Sequence, residues 1–121
     1  MTKEQVAATE AMENMDALGL APPAVWATHA NKSLLSRLVY IAKLLNISII
    51  GVNVERVGAS TDSEEFAERK IPSITIHSLT QRTWDARIIH SSSDTLSAIR
   101  PDDYYRTYRL LAAYIAYLDQ N

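Results

Sequence analysis

The stretch STDSEEFAERKIPSITIHS, residues 60–78, holds a helix and a strand back to back. Asp62 or Ser63 can cap the helix start, since a short polar side chain accepts a hydrogen bond from a free N–H of the first turn. Glu64 and Glu65 follow, where the helix dipole favours negative charge. The strand begins after Pro72. Upstream, Gly58 makes a turn, and before it ISIIGVNV (47–54) is β-branched and continuously apolar. That pattern predicts a strand buried on both faces. Before it again lies NKSLLSRLVYIAKLLN (31–46). Leu34, Leu38, Ile41 and Leu45 recur at helical spacing, with Asn31 or Ser33 as a cap and Asn46 as a stop.

The flanks complete the pattern. Thr2 and Gln5 fit a capping box on a short first helix. Residues 11–16 read as a strand that ends before Gly19, Pro22 and Pro23. After the strand at 73–78, LTQRTWD is a loop, ARIIH (86–90) a short strand, and SSSDTLSAIR an irregular connection. The last helix opens at Pro101 with Asp102 and Asp103 behind it, and its buried stripe is expected to be Tyr104, Tyr108, Leu111, Ile115 and Leu118. Helices alternating with apolar strands argue an α/β layered sheet, with three or four strands visible.

Composition bounds the rest. A chain of 121 residues predicts one domain, residues 1–121. The formal charge is −2, and the 12 basic residues form no stripe, which argues against nucleic acid. There is no cysteine, so no disulfide, no thiolate ligand and no thiol nucleophile. The start lacks the basic-then-apolar pattern of a signal peptide, and no apolar run approaches the ~20 residues of a membrane span. A soluble chain is expected, its address unknown.

With only three glycines there is no phosphate loop, and no G-x-S-x-G elbow occurs. His90 stands where a strand delivers a side chain to the carboxyl edge of a sheet, the edge at which α/β proteins build sites. Imidazole is a common metal ligand, but a hydrogen-bonded histidine at a strand end has the same spacing. Asp94, four residues on, can orient His90 or cap its own turn. Asp16 is either a site carboxylate or a turn former before Gly19. Asp62 is either a site residue or a helix cap. His29 and His77 read as structural.

Three ordered pieces, NMDALGL (14–20), STDSEEFAERKIPSITIHS, and IIHSSSDTLSAIRPDDYYRTYRLLAAYIAYLD (88–119), resemble the C-terminal part of co-catalytic dizinc exopeptidases. This family includes bacterial leucyl aminopeptidases and aminopeptidase Y, and glutamate carboxypeptidase and glutaminyl cyclases share its fold. Its pattern reads N-x-D-x-x-G, then S-D-[HS]-x-x-F-x-x-x-G-I-P, then I-H-[ST]-x-x-D-T. The resemblance implies a partial three-layer α/β/α sheet of three to four strands with flanking helices. It implies that Asp16 binds one zinc and His90 the other, that Asp62 and Ser63 border the substrate pocket, and that Asp94 supports the His90 loop.

The family takes its remaining ligands, its bridging Asp and its general-base Glu from upstream of the N-x-D-x-x-G strand. Only fifteen residues precede Asp16, so these are expected outside this chain. The chain also lacks the Tyr that some members carry before the Asp-Ser turn, and Glu13 stands in a usually apolar strand. The implied parent reaction is zinc-dependent hydrolysis of N-terminal peptide bonds, with a peptide substrate, and this chain alone is expected to be inactive. The alternatives are a non-catalytic interaction or receptor-like domain of the same fold, and a glutaminyl-cyclase-like acyltransferase. A sheet this small predicts an exposed edge, with ISIIGVNV the main liability and self-association the consequence.

Overall fold

The computed structural model describes residues 1–53, 62–80, 82–83, 88–89 and 91–120. In chain order the described elements are helix α1 (Lys3–Ala8), strands β1 (Met12–Met15) and β2 (Ala24–Val25), and helix α2 (Lys32–Leu44). Strand β3 (Ile50–Gly51), helix α3 (Ser63–Glu68), strand β4 (Ser73–His77) and helix α4 (Pro101–Gln120) follow. The four strands form one mixed sheet in the order β1-β4-β2-β3. β1 runs parallel to β4, β4 antiparallel to β2, and β2 parallel to β3. The chain is therefore an α/β protein with helices on both faces of its sheet. Among the described residues no helix is long and apolar enough to cross a membrane.

β4 organises the layers. Alternate side chains of a strand face opposite sides of a sheet. Ile74 and Ile76 point to one side, where they meet Leu34, Leu38 and Ile41 of α2 and Leu110, Leu111 and Tyr114 of α4. Each fully buried isoleucine contributes about 1.5–3 kcal/mol through the apolar area it removes from water. Tyr114 is also buried, and its hydroxyl donates to the Leu34 carbonyl at 2.9 Å, tying α4 to the start of α2. Burial raises the pKa of this phenol, so it stays a donor. Thr75 points to the opposite side, where its hydroxyl meets Ser63 of α3 at 2.6 Å.

Local signals act as the sequence indicates at several points. The Thr2–Gln5 capping box forms. Asn31 caps α2 by accepting from the N–H groups of Ser33 and Leu34, and Asn46, at φ 55, turns the chain out of it.

The structure differs from the sequence reading at four points. ISIIGVNV is not a strand buried on both faces: among its described residues only Ile50–Gly51 form strand, they end the order of the described strands, and both are exposed. Among the described strands β3 has a neighbour on one side alone, so its side chains gain less cover than those of a central strand. The buried stripe of α4 is rotated. Asp103, Thr107, Leu110, Leu111 and Tyr114 face the core, while Tyr104, Tyr108 and Ile115 stay exposed. Asp103 enters the buried stripe through ion pairs to Arg100 at 3.5 Å and Arg106 at 3.3 Å. Strand β2 has no counterpart in the sequence reading, because two residues carry no periodicity. In ARIIH, Ile88 and Ile89 lie outside any strand, and the other three residues fall outside those described.

Candidate functional site

Asp16 directly follows β1, at the carboxyl end of the parallel β1–β4 pair. Its N–H donates to the Ile76 carbonyl at 3.1 Å, so its backbone is fixed by the last rung of the sheet. Its side chain is exposed. The turn that follows is tightly built. Ala17 sits at φ 49 and Gly19 at φ 87, so the chain reverses within three residues of the strand. A side chain on Gly19 would be strained at that φ, and its Cβ would lie 3.0 Å from Tyr104 Cδ2.

Ser78, the first residue past β4, clamps this turn. Its hydroxyl donates to the Ala17 carbonyl and accepts from the Leu20 N–H at 3.0 Å. The Ser78 N–H also donates to the Ala17 carbonyl, and the Arg100 N–H donates to the Gly19 carbonyl at 2.7 Å. Asp16 thus heads a turn held from two other parts of the chain. Ser78 and Arg100 carried no signal in the sequence, since each acts through backbone geometry that only the fold creates.

A second small apolar cluster lies beside the turn. Leu20, Trp26 and Leu79 form its buried part, with Ala17, Ile88, Ile89 and Ala98 packed against it. Ala17 follows Asp16, and Ile88 and Ile89 precede His90. His90 itself lies outside the described residues. Thus the chain neighbours of the two expected ligands share one cluster, although 70 residues separate Ala17 from the start of the Ile88 pair only in sequence order and not in space.

The remaining expected residues divide. Asp62 is exposed and stands at the N-cap position of α3, but its carboxylate makes no capping hydrogen bond. Its backbone is helical there (φ −64, ψ −21), whereas a capping side chain needs an extended backbone to reach back. Ser63 is buried, hydrogen-bonded to Thr75, and faces the sheet rather than solvent. Asp94 is exposed in the serine loop, where its N–H donates to the Ser91 carbonyl at 3.1 Å. The Ser91 hydroxyl in turn donates to the Ile88 carbonyl at 2.7 Å, so the serine run makes a loop anchored on the residues just before His90.

His77 is buried and fully engaged. Its Nδ1 accepts from the Leu79 N–H at 2.9 Å, which leaves Nε2–H to donate to the Val52 carbonyl at 3.1 Å. Burial lowers its pKa, opposed by the Val52 carbonyl and the nearby Asp16 carboxylate. The neutral ring is therefore a structural bridge between β4 and the strand-edge segment at Val52. The His29 ring packs against Trp26 with centroids 4.2 Å apart and planes tilted by 45°.

A zinc centre takes three or four protein ligands. Among the described residues no group of three or more His, Asp or Glu side chains converges on one point, so these residues alone do not make one. The described part of the chain offers Asp16 as a placed carboxylate and a segment leading to His90.

Searches of curated proteins and of solved structures returned no match. The family model of Peptidase family M28 matches residues 1–115, which include Asp16, Asp62, Ser63, His90 and Asp94. The match takes in nearly all of the sequence, and the chain belongs to peptidase family M28.

Proposed function

We propose that this chain supplies one ligand to each of two zinc ions, Asp16 to one and His90 to the other, in an aminopeptidase-like enzyme. The reaction of the complete centre is hydrolysis of N-terminal peptide bonds. The observation that carries this reading is the shared cluster beside the Asp16 turn, into which Ile88 and Ile89 pack next to Ala17 and Leu20. Family membership supplies the metallopeptidase chemistry. Asp62 borders the substrate side, and Ser63, through Thr75, holds α3 on β4 so that Asp62 is placed. Asp94 steadies the serine loop after His90.

On this reading the 121-residue chain does not turn over substrate, because one carboxylate and one imidazole neither complete a metal site nor supply a general base. Leucyl and alanyl p-nitroanilides in excess Zn²⁺ test this. The expected result is no release above buffer. Release that disappears in both His90→Ala and Asp16→Ala would overturn it. The second reading is a non-catalytic interaction domain, favoured by the exposed apolar face of α4. It is distinguished by Zn²⁺ producing no change at Asp16 or around His90.

A further inference from the structure

We propose that Ser78 is the residue that positions Asp16, by holding Ala17 in a backbone conformation that alanine otherwise avoids. The role assigned to Ser78 rests on the reading of Asp16 as a zinc ligand and adds the group that aims it. Among the described residues, three with side chains have a positive φ: Ala17 (49°), Asn46 (55°) and Lys70 (59°). Two of these end helices in the ordinary way, by a left-handed residue with a pair of backward hydrogen bonds. After α2 the Asn46 N–H donates to the Lys43 carbonyl and the Ile47 N–H to the Ala42 carbonyl. After α3 the Lys70 N–H donates to the Ala67 carbonyl and the Ile71 N–H to the Phe66 carbonyl. Ala17 has no helix behind it. It follows strand β1, next to Asp16, and its conformation is imposed from elsewhere in the fold. Strain of this kind gathers at functional sites.

Ser78 imposes it. The residue is wholly buried just past the end of β4. Its N–H donates to the Ala17 carbonyl at 3.1 Å, its hydroxyl donates to the same carbonyl, and that hydroxyl accepts from the buried Leu20 N–H at 3.0 Å. These bonds fix the peptide group after Ala17. The peptide group before Asp16 is fixed by its own N–H, which donates to the Ile76 carbonyl at 3.1 Å. Asp16 and Ala17 therefore lie between two anchored peptides, both tied to the end of β4. Left-handed backbone is disfavoured for alanine by about tenfold or more. Without the Ser78 hydroxyl the Leu20 N–H loses its buried partner and Ala17 loses one of its two restraints. An extended Ala17 would carry the chain on along β1 and turn Asp16 with it. Arg100 does not substitute, since its N–H reaches the Gly19 carbonyl, beyond the strained residue.

A glycine at this position would adopt the same φ without strain. The methyl of Ala17 has a use, however: it packs on the Leu20, Trp26 and Leu79 cluster that also takes Ile88 and Ile89. Ser78 lets the turn keep that methyl and the left-handed backbone together. The result is a carboxylate whose backbone is set before any ion arrives. A ligand that is already ordered avoids an ordering cost on binding, which corresponds to about two- to tenfold in affinity.

NMR of the intact chain tests this, first in a chelator and then with Zn²⁺ alone as the probe. In the chelator, Ser78→Ala should speed exchange of the Leu20 N–H by about tenfold. It should also weaken the strong amide-to-Hα cross-peak within residue 17 that a left-handed φ produces. Adding Ala17→Gly to Ser78→Ala should restore that cross-peak while Leu20 exchange stays fast. With Zn²⁺, the midpoint of the shifts around Asp16–Gly19 should rise by about two- to tenfold in Ser78→Ala and return toward the parent on adding Ala17→Gly. Ala17→Val, which keeps Ser78 but sets a β-branched residue at positive φ, should raise the midpoint in the same direction. It reads the clamp even if Ser78→Ala fails to fold. Unchanged Leu20 exchange in Ser78→Ala, a left-handed residue 17 without the hydroxyl, or a loss that Ala17→Gly does not restore would each overturn the role of Ser78. So would shifts that Asp16→Asn abolishes but whose midpoint neither Ser78→Ala nor Ala17→Val moves. Shifts that survive Asp16→Asn would instead overturn the ligand reading itself, and leave Ser78 nothing to position.

Discussion

The two faces of β4 are made from alternating residues of one five-residue strand, SITIH, and they do different things. The Ile74 and Ile76 face is an apolar layer under α2 and α4. The Ser73, Thr75 and His77 face is equally buried but polar, and its groups are hydrogen-bonded to Ser63, Val52 and Leu79. The apolar face contributes stability through area. The polar face contributes position: it holds α3, the Val52 segment and, through the adjoining Ser78, the Asp16 turn. A burial pattern alone does not separate these roles, since all five residues are buried.

The largest expected effect is on the apolar face. Ile76→Ala removes side-chain volume at a position with no exposure and should cost about 2–5 kcal/mol, read as a lower urea midpoint. A cost no larger than that of Thr75→Val would erase the contrast between the faces. Gly19→Ala comes next. The strained φ and the 3.0 Å approach to Tyr104 predict a loss of about 1–3 kcal/mol and a disturbed Asp16 turn. Thr75→Val keeps the shape but strips Ser63 of a buried partner, and should cost about 1–2 kcal/mol.

The smallest effect is a pH dependence. Burial lowers the folded pKa of His77 below the unfolded value of about 6.5. Between the two values the unfolded chain holds more protons than the folded one. The contribution of neutral His77 is therefore complete above about pH 6.5, falls as pH drops below it, and levels off beneath the folded pKa. His77→Gln should flatten that part of the stability profile relative to the parent. An unchanged slope would remove His77 from the polar face's account.

The sequence makes the helices legible because their signals are local. Thr2 with Gln5, Asn31, and Pro101 each mark a boundary through one or two side chains. The strands are less so. ISIIGVNV has the composition of a central strand, yet a strand's burial depends on which neighbours exist, and β3 sits at the edge. The α4 stripe misleads for a related reason. Tyr104, Tyr108 and Ile115 are periodic and apolar, but ion-paired Asp103 and hydrogen-bonded Thr107 take the inward places. At the site, Asp16 is legible as a carboxylate before a glycine turn. The Ser78 clamp is not, because it depends on two segments 61 residues apart meeting.

The central claim is that Asp16 and His90 are this chain's contributions to two different metal ions. A Zn²⁺ titration followed by two-dimensional NMR at neutral pH tests it most directly, with Asp16→Asn and His90→Ala beside the parent. The account predicts weak binding that shifts two sets of resonances, one around Asp16–Gly19 and one around Ile88–Asp94. Asp16→Asn should remove the first set and leave the second, and His90→Ala the reverse. A single submicromolar site abolished whole by either substitution, or shifts confined to His29, would contradict it.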